Sequence, residues 1–468
     1  MSFDLTAHRR GLVVAPAGCG KTQTIVDALK RGVAGVTLVL THTNAGVSAL
    51  RERLKKAGVP SGAYRLVTID GWALRLVANF PQLSGLVVAG LPKIDYPALR
   101  KAALKAVVSG ALDQPVAATY QRLIVDEYQD CCLDQHALVL ALADRLPCCV
   151  LGDPLQRIFD FRPGSLPDWD TRVAVDFPVV ETFAEPWRWR NAGERDFGLW
   201  ILRVRDELLA GRGLDLRSAP SNVTWRQKPA DANELANAQR DAVLRLKPSA
   251  GEGLLVIGDS RRPSTRSDFA RKTAGLHVVE PVDLNDFMGA AAELESCRGL
   301  ERLKATLRVT KEVMTGIDMT ALGKRLDSLH RGTAHNSATA SEAACLAMLA
   351  DDGPAAAARV IEAFAREPGA RIFRRQIMTA MIDALHRAAS KGVSVTEAAI
   401  HVRERHRATA RALPNRAVGS TLLLKGLEAE HAIILDADDM NARHLYVAIS
   451  RASKSLTLFS SSNVIRPR

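Results

Sequence analysis

Ala15-Pro16-Ala17-Gly18-Cys19-Gly20-Lys21-Thr22 stands between an apolar run, Gly11–Ala15, and a helix-compatible run, Gln23–Lys30. A strand, a Gly-rich turn closing on Lys-Thr and a helix make up the P-loop arrangement. The backbone of Ala17, Gly18, Cys19 and Gly20 and the helix N-terminus wrap a β-phosphate there. Lys21 reaches the β/γ oxygens, and the Thr22 hydroxyl is a ligand for Mg²⁺. Ala15 occupies the place of the usual first glycine, but the tight turn depends mainly on Gly18 and Gly20.

Working outward, the first 180 or so residues alternate short β-rich apolar runs with amphipathic segments, which predicts a parallel α/β sheet. The strand candidates are Gly11–Ala15, Val36–Leu40, Leu123–Val125 and Cys149–Leu151. Ligands collect at the carboxyl ends of such strands. Leu123-Ile124-Val125 ends there in two acids, Asp126 and Glu127. Asp126 suits a water-mediated Mg²⁺ ligand, and Glu127 a group that polarises the attacking water. Adjacent acids are common on surfaces; their weight comes from the P-loop upstream. A second α/β portion is expected from Val179, with strand candidates Gly253–Ile257, Ala432–Leu435 and Leu456–Phe459. Residues 286–411 read as helices, an insertion that splits this second portion. The expected division is therefore 1–178, then 179–285 with 412–468, with 286–411 inserted. There is no internal repeat and no low-complexity linker.

Composition narrows the function. Of 468 residues, 47% are hydrophobic and 24% charged, which is globular rather than disordered. Sixty-three Lys plus Arg against 51 Asp plus Glu give a formal charge of +12. Such an excess suits a polyanionic partner, nucleic acid first, or a basic surface kept for solubility. Seven cysteines, four of them neighbours as Cys131-Cys132 and Cys148-Cys149, fit neither a disulfide scaffold nor C-x-x-C zinc spacing. They read as buried thiols in a reducing compartment. The apolar run after Arg9-Arg10 is too short for a signal peptide and leads straight into the P-loop, and no stretch is long enough to span a membrane. A soluble cytoplasmic protein with no membrane partner is expected. His386, His401 and His406 form no metal-ligand spacing, and the basic stretch His401–Arg407 reads as a solvated helix face or a phosphate contact.

Asp126-Glu127-Tyr128-Gln129-Asp130 closely resembles the D-E-x-Q-D box of superfamily 1 helicases of the UvrD/Rep/PcrA-like group. Further stretches resemble that group's motifs in order. Thr41-His42-Thr43-Asn44-Ala45 is similar to motif Ia, and Thr68-Ile69-Asp70-Gly71-Trp72-Ala73 to motif Ib. Gly152–Phe159 resembles motif III, continuing to Phe161-Arg162. Glu185-Pro186-Trp187-Arg188 stands where motif IV has N-Y-R. Lys425-Gly426-Leu427-Glu428 is similar to motif V, and Leu445–Ala452 to motif VI.

The resemblance implies an α/β protein with two RecA-like P-loop domains, a short insertion at about 79–120 and a reduced helical insertion, using ATP and Mg²⁺. It implies catalytic roles for Lys21, Glu127, Gln156 as γ-phosphate sensor, and Arg188 and Arg451 as arginine fingers from the second domain. Arg190 offers a second frame for Arg188. Trp187 takes the place of the family Tyr that stacks on adenine, or is a core aromatic. Gln23 lies where an Arg often flanks the base, and Glu428 where the ribose side is contacted. Single-stranded DNA would meet Thr41, His42, Asn44, Trp72, Phe161 and Arg162, with packing as the alternative role for the aromatics.

The sequence also departs from the group. Met1–Arg10 contains no Gln of the kind that reads the adenine edge, and in motif V Ser420 replaces Thr and Leu422 replaces His. Both insertions, where strand separation is supported, are short. The expectation is a DNA-stimulated ATPase translocating 3′–5′ on single-stranded DNA, with helicase activity in repair or recombination as its extension. The alternative is an ATP-dependent sensor subunit, because the compact size resembles the helicase-like subunit of Gabija-type anti-phage systems, which work with a separate nuclease.

Overall fold

The computed structural model describes residues 3–32, 35–87, 94–159, 165–408 and 414–467. It divides into two compact units. The first comprises Met1–Trp225, Ala437–Leu456 and Ser462–Arg468, and the second Arg226–Asp436 and Thr457–Ser461.

The first unit is built on six strands: β1 (Arg10–Val14), β2 (Thr37–Thr41), β3 (Tyr64–Thr68), β4 (Arg122–Val125), β5 (Cys148–Gly152) and β6 (Val179–Thr182). Their order is β3-β2-β4-β5-β1-β6, and every pairing is parallel. Both faces are buried, so successive residues serve opposite cores. Leu12, Leu38, Leu123, Cys148 and Val150 join one cluster with the helices Ile69–Asn79, Tyr96–Val108 and Leu133–Ala143. Val13, Val39, Ile124, Cys149 and Leu151 join the other, with the helices Lys21–Arg31 and Asn44–Lys56. This two-sided burial is why the strands read as continuous apolar runs rather than alternating ones. It also sends the neighbouring thiols of Cys148 and Cys149 to opposite faces of the sheet. All seven cysteines are free thiols; Cys132 and Cys297 are half-buried and the other five buried. A short ribbon, β7 (Leu214–Asp215) with β16 (Val464–Ile465), is antiparallel.

A second sheet is made of β8 (Val223–Gln227), β9 (Leu254–Ile257), β10 (His277–Val278), β13 (Arg416–Gly419), β14 (Ala429–Ile434) and β15 (Ala452–Ser460), in the order β10-β13-β9-β14-β15-β8; of these β9, β10, β13 and β14 lie wholly in the second unit, and β8 and β15 only in part. The run from β10 to β14 is parallel. Between β10 and β13 lies the helical insertion, with helices from Asn285–Ser296 to Val395–Ala408 around their own apolar core. One two-stranded ribbon, β11 (Met314–Thr315) with β12 (Arg371–Ile372), interrupts them. Arg374 fastens the insertion to the sheet: its guanidinium donates to Glu280 at 2.7 and 2.8 Å and to Asp286 at 2.6 Å.

The α/β class, the two mainly parallel sheets and the helical insertion agree with the sequence reading. The boundary at 178/179 does not. The β-branched run Val179–Thr182 pairs with β1 and completes the first sheet, and the segments 187–225 and 437–456 also group with the P-loop unit. The 79–120 stretch is not a separate subdomain where it is described. Its helix Tyr96–Val108 packs Leu99, Ala103 and Val107 into the first unit's core. The expected boundary at 411 lies outside the described residues.

Candidate functional site

β1 and β4, which lead into the P-loop and the acid pair, are separated in the sheet by β5 alone. This order brings three loops to one edge: 15–22 after β1, 126–130 after β4 and 153–157 after β5. Gly18 and Gly20 adopt φ of 72° and 91°, a left-handed conformation that glycine tolerates, and Gly20 caps the helix Lys21–Arg31. The first N–H groups of that helix have no carbonyl four residues back to bond, which makes its N-terminus an anion site.

Lys21 lies between the two acids, with Nζ 3.3 Å from Asp126 Oδ1 and ion-paired with Glu127. Burial alone pulls the Lys21 ammonium down, but the two carboxylates outweigh it and hold the group charged, above its ordinary value. Burial pushes the Asp126 carboxyl up, although Lys21 opposes the shift. Glu127 is a non-glycine residue at φ 56°. This costly conformation is held in place by its partners: Asp126 Oδ1 accepts the Glu127 N–H at 2.9 Å, and Gln129 Nε2 donates to Glu127 Oε2 at 2.5 Å. Thr22 follows Lys21 in the first helical turn, half-buried, and Gln23 is exposed and donates to Asp27 at 2.7 Å.

A third carboxylate, Asp153, is fully buried after β5. Its backbone N–H donates to Gln129 Oε1 at 3.2 Å, and its Oδ2 accepts from Gln156 Nε2 at 3.1 Å. Gln156 is thereby tied to the acid loop. Cys19, buried in the P-loop, has its thiol pushed up to about 12, chiefly by burial and then by Asp153.

The segment Trp187–Asn191 is a short helix packed on the P-loop. The Arg188 N–H donates to the Gly18 carbonyl at 3.0 Å. Trp189 is fully buried, and its indole N–H donates to the Ala452 carbonyl at 2.8 Å. Trp187 is 44% exposed; a Cβ on Gly20 would sit 3.2 Å from its Cδ1, and the Arg190 guanidinium lies 4.8 Å from its ring centre. From the far end of the chain, the Tyr446 hydroxyl accepts the Ala17 N–H at 3.0 Å. Arg188 Nη1 donates to the Ser450 carbonyl at 2.6 Å, and the buried Arg451 donates to the Val447 carbonyl at 2.8 Å and Ser450 Oγ at 3.0 Å. Both arginines expected from a second domain therefore belong to the P-loop unit, because Ala17 and Gly18 bond to the very segments that carry them.

The first unit thus brings together Ala17 to Thr22, Asp126, Glu127, Gln156, Trp187, Arg188 and Arg451. Glu428 belongs to the second unit, exposed on the connection from β13 to β14. Among the residues expected at nucleic acid, Thr41 is buried at the end of β2, while His42 is half-buried and Asn44 exposed at the start of the next helix. Trp72 is not available for stacking: it is 6% exposed, in the core beneath the helix Tyr96–Val108. Its spacing from Ile69, Ala73 and Leu76 is the one-sided apolar pattern of a packed helix. Phe161 and Arg162 lie outside the described residues.

Five residues escaped the sequence reading. Phe159 faces His42 with ring centres 6.0 Å apart, past the ends of β5 and β2. Asp153, Gln129, Tyr446 and Arg205 carry the buried hydrogen bonds of the site, and of these only Arg205 lies outside every recognisable motif. The arginines of 401–407 pair with acids, Arg403 and Arg407 with Glu404 and Arg405 with Asp383.

Residues 3–162 match the family described as AAA domain, about a third of the chain. Among solved structures, the helicase nonstructural protein 10 of an Arterivirus matches with 11% identity and a TM-score of 0.32, over 96% of this chain and 59% of that one. Its complex with DNA matches with 10% identity and the same TM-score, over 96% and 60%. The chain spans about three-fifths of the length of those structures. No curated protein matches it. Among the described residues, no helix is long and apolar enough to cross a membrane.

Proposed function

We propose that the chain is an ATPase stimulated by single-stranded DNA, moving 3′ to 5′ along it. The observation that carries the ATPase reading is Lys21 held between Asp126 and Glu127, with Gln129 and Asp153 linking those acids to Gln156. Nucleic acid is supported by the +12 charge and by the His42–Phe159 ring pair beyond the strand ends, a surface on which bases can stack. The direction of movement rests on the motif resemblance.

The donors present suit Mg²⁺. Thr22, Asp126 and Glu127 offer hard oxygens, and a cationic ammonium already lies against the two carboxylates. Thr22 and Asp126 would hold the ion, which when bound would neutralise charge on the phosphate oxygens. The chain's own groups do the rest. The helix N-terminus and the Lys21 ammonium bind the phosphates. Glu127, aimed by its left-handed backbone and by Gln129, orients the attacking water and takes its proton. Gln156 reports on the phosphate through Asp153, and Trp187, beside Gly20, covers the base.

The test is steady-state ATP turnover of the full chain with and without single-stranded DNA. Turnover should rise about ten-fold or more with DNA, and fall by more than about 100-fold in Lys21→Ala and in Glu127→Gln. Intact nucleotide binding without any DNA-stimulated turnover overturns the reading.

A further inference from the structure

Arg205 belongs to no motif, yet it is a buried cation of the site. It lies in the helix Arg195–Leu209 with 6% exposure, and its Nε and Nη2 donate to Asp153 Oδ1 at 3.2 and 3.0 Å. The same oxygen accepts the Leu155 N–H at 3.2 Å, while Oδ2 holds Gln156 and the Asp153 N–H holds Gln129, which holds Glu127. One guanidinium therefore stands at the root of two branches, one ending on Gln156 and the other on Glu127. A buried carboxylate that loses its cation either takes up a proton or turns toward water. Either change alters what Gln156 and Leu155 bond to. A lysine keeps the charge but presents a point, not the planar fork that spans two donors.

The helix that carries Arg205 is also joined to the P-loop face. Gly198 lies so close to the preceding segment that a Cβ there would meet Pro186 Cβ at 2.6 Å and Trp189 Cβ at 2.8 Å. Trp187, Arg188 and Trp189 at the P-loop and Arg205 at Asp153 thus ride on one tightly packed helical pair.

We propose that Arg205 is a positioning residue for hydrolysis: by fixing Asp153 it sets the orientation of both Gln156 and Glu127. The proposal rests on the ATPase reading above. The test uses Arg205→Met and Arg205→Lys in the full chain. It measures ATP turnover, fluorescent-nucleotide affinity and backbone amide exchange over 125–131 and 150–158. In Arg205→Met, kcat should fall about 10- to 100-fold with KM and nucleotide affinity within about three-fold, the scale on which supporting contacts act. Amides in those two segments should exchange faster, and those of the second unit should not. Arg205→Lys should recover part of the turnover.

A folded Arg205→Met with turnover within two-fold of the parent, or with unchanged exchange in both segments, overturns the proposal. Should Arg205→Met fail to fold, Arg205→Lys decides: full turnover and parental exchange overturn it, while lower kcat at constant KM supports it. Should the parent chain itself not hydrolyse ATP, the ATPase reading fails. The exchange measurement then decides separately whether Arg205 orders the two loops.

Discussion

The Trp189 indole lies against Gly18 so closely that a Cβ on the glycine would come within 2.5 Å of the ring's Cζ3. The phosphate-binding turn therefore takes its shape from two directions. A left-handed backbone at φ 72° favours glycine, and an aromatic wall leaves no room for anything larger.

Gly18→Ala should accordingly cost at least about 2 kcal/mol, combining left-handed strain with overpacking. Urea unfolding checks this. Because the strain is partly steric, Trp189→Phe in the same chain should return some of the loss, so that the two changes are not additive.

The two tryptophans of Trp187-Arg188-Trp189 should separate cleanly. Trp189→Ala empties a fully buried site, loses the bond to Ala452 and should destabilise the chain by about 3–5 kcal/mol. Trp187→Ala, at a half-exposed site, should change stability by about 0.5 kcal/mol or less. It should weaken nucleotide binding about ten-fold through lost stacking. Thermal melts and fluorescent-nucleotide titration measure the two effects independently.

Trp72 behaves as core. Trp72→Ala should cost about 3–5 kcal/mol. Trp72→Phe should keep single-stranded DNA affinity within about two-fold, because a buried ring stacks on no base; fluorescence anisotropy with a labelled oligonucleotide checks it. His42→Ala and Phe159→Ala should each weaken binding by about 1–3 kcal/mol in the same assay.

A pH dependence follows from His136. Its ring is buried between the Tyr128 hydroxyl, 2.8 Å from Nδ1, and Asp176, 2.9 Å from Nε2, with Arg172 paired to the same Asp176. With Nε2–H donating to the carboxylate, Nδ1 is left to accept from Tyr128, so the neutral ring satisfies both partners. Burial holds its pKa below the ordinary value, although Asp176 pulls the other way. The unfolded chain therefore binds the proton first. Stability should be complete above about pH 6.5 and decline as pH falls from there toward the folded-state pKa. Half-buried His277 and His444 are depressed in the same sense, so His136→Phe should flatten this slope in part. Melting midpoints from pH 7.5 to 5.5 measure it.

The strands that hold the site were legible because burial on two faces writes them as unbroken apolar runs. The P-loop and the acid pair were legible because phosphate and metal chemistry demand those residue types in that order. What stayed hidden is of another kind. Val179–Thr182 reads as a strand, but nothing in it says whether it joins the sheet before it or the sheet after it. Trp72 sits in a recognisable motif, yet only the helix Tyr96–Val108 lying over it decides that it is core. Arg205 has no local pattern at all, since its meaning comes from a carboxylate 52 positions away. The residues that act on a phosphate carry local signatures; those that hold them still are found only by proximity.

The bond from Ala17 to Tyr446 and that from Trp189 to Ala452 bear on how the chain is made. The nucleotide loop leaves the ribosome well before its hydroxyl partner, which emerges more than 400 residues later, followed by the carbonyl that receives Trp189. At ordinary elongation rates that interval is roughly 20 to 90 s. In its later part the loop and Trp189 are both present while their partners Tyr446 and Ala452 are still missing. A nascent chain halted before residue 446 carries every letter of the P-loop and lacks the finished pocket, so the acquisition of nucleotide binding waits on the emergence of residues 446 to 452.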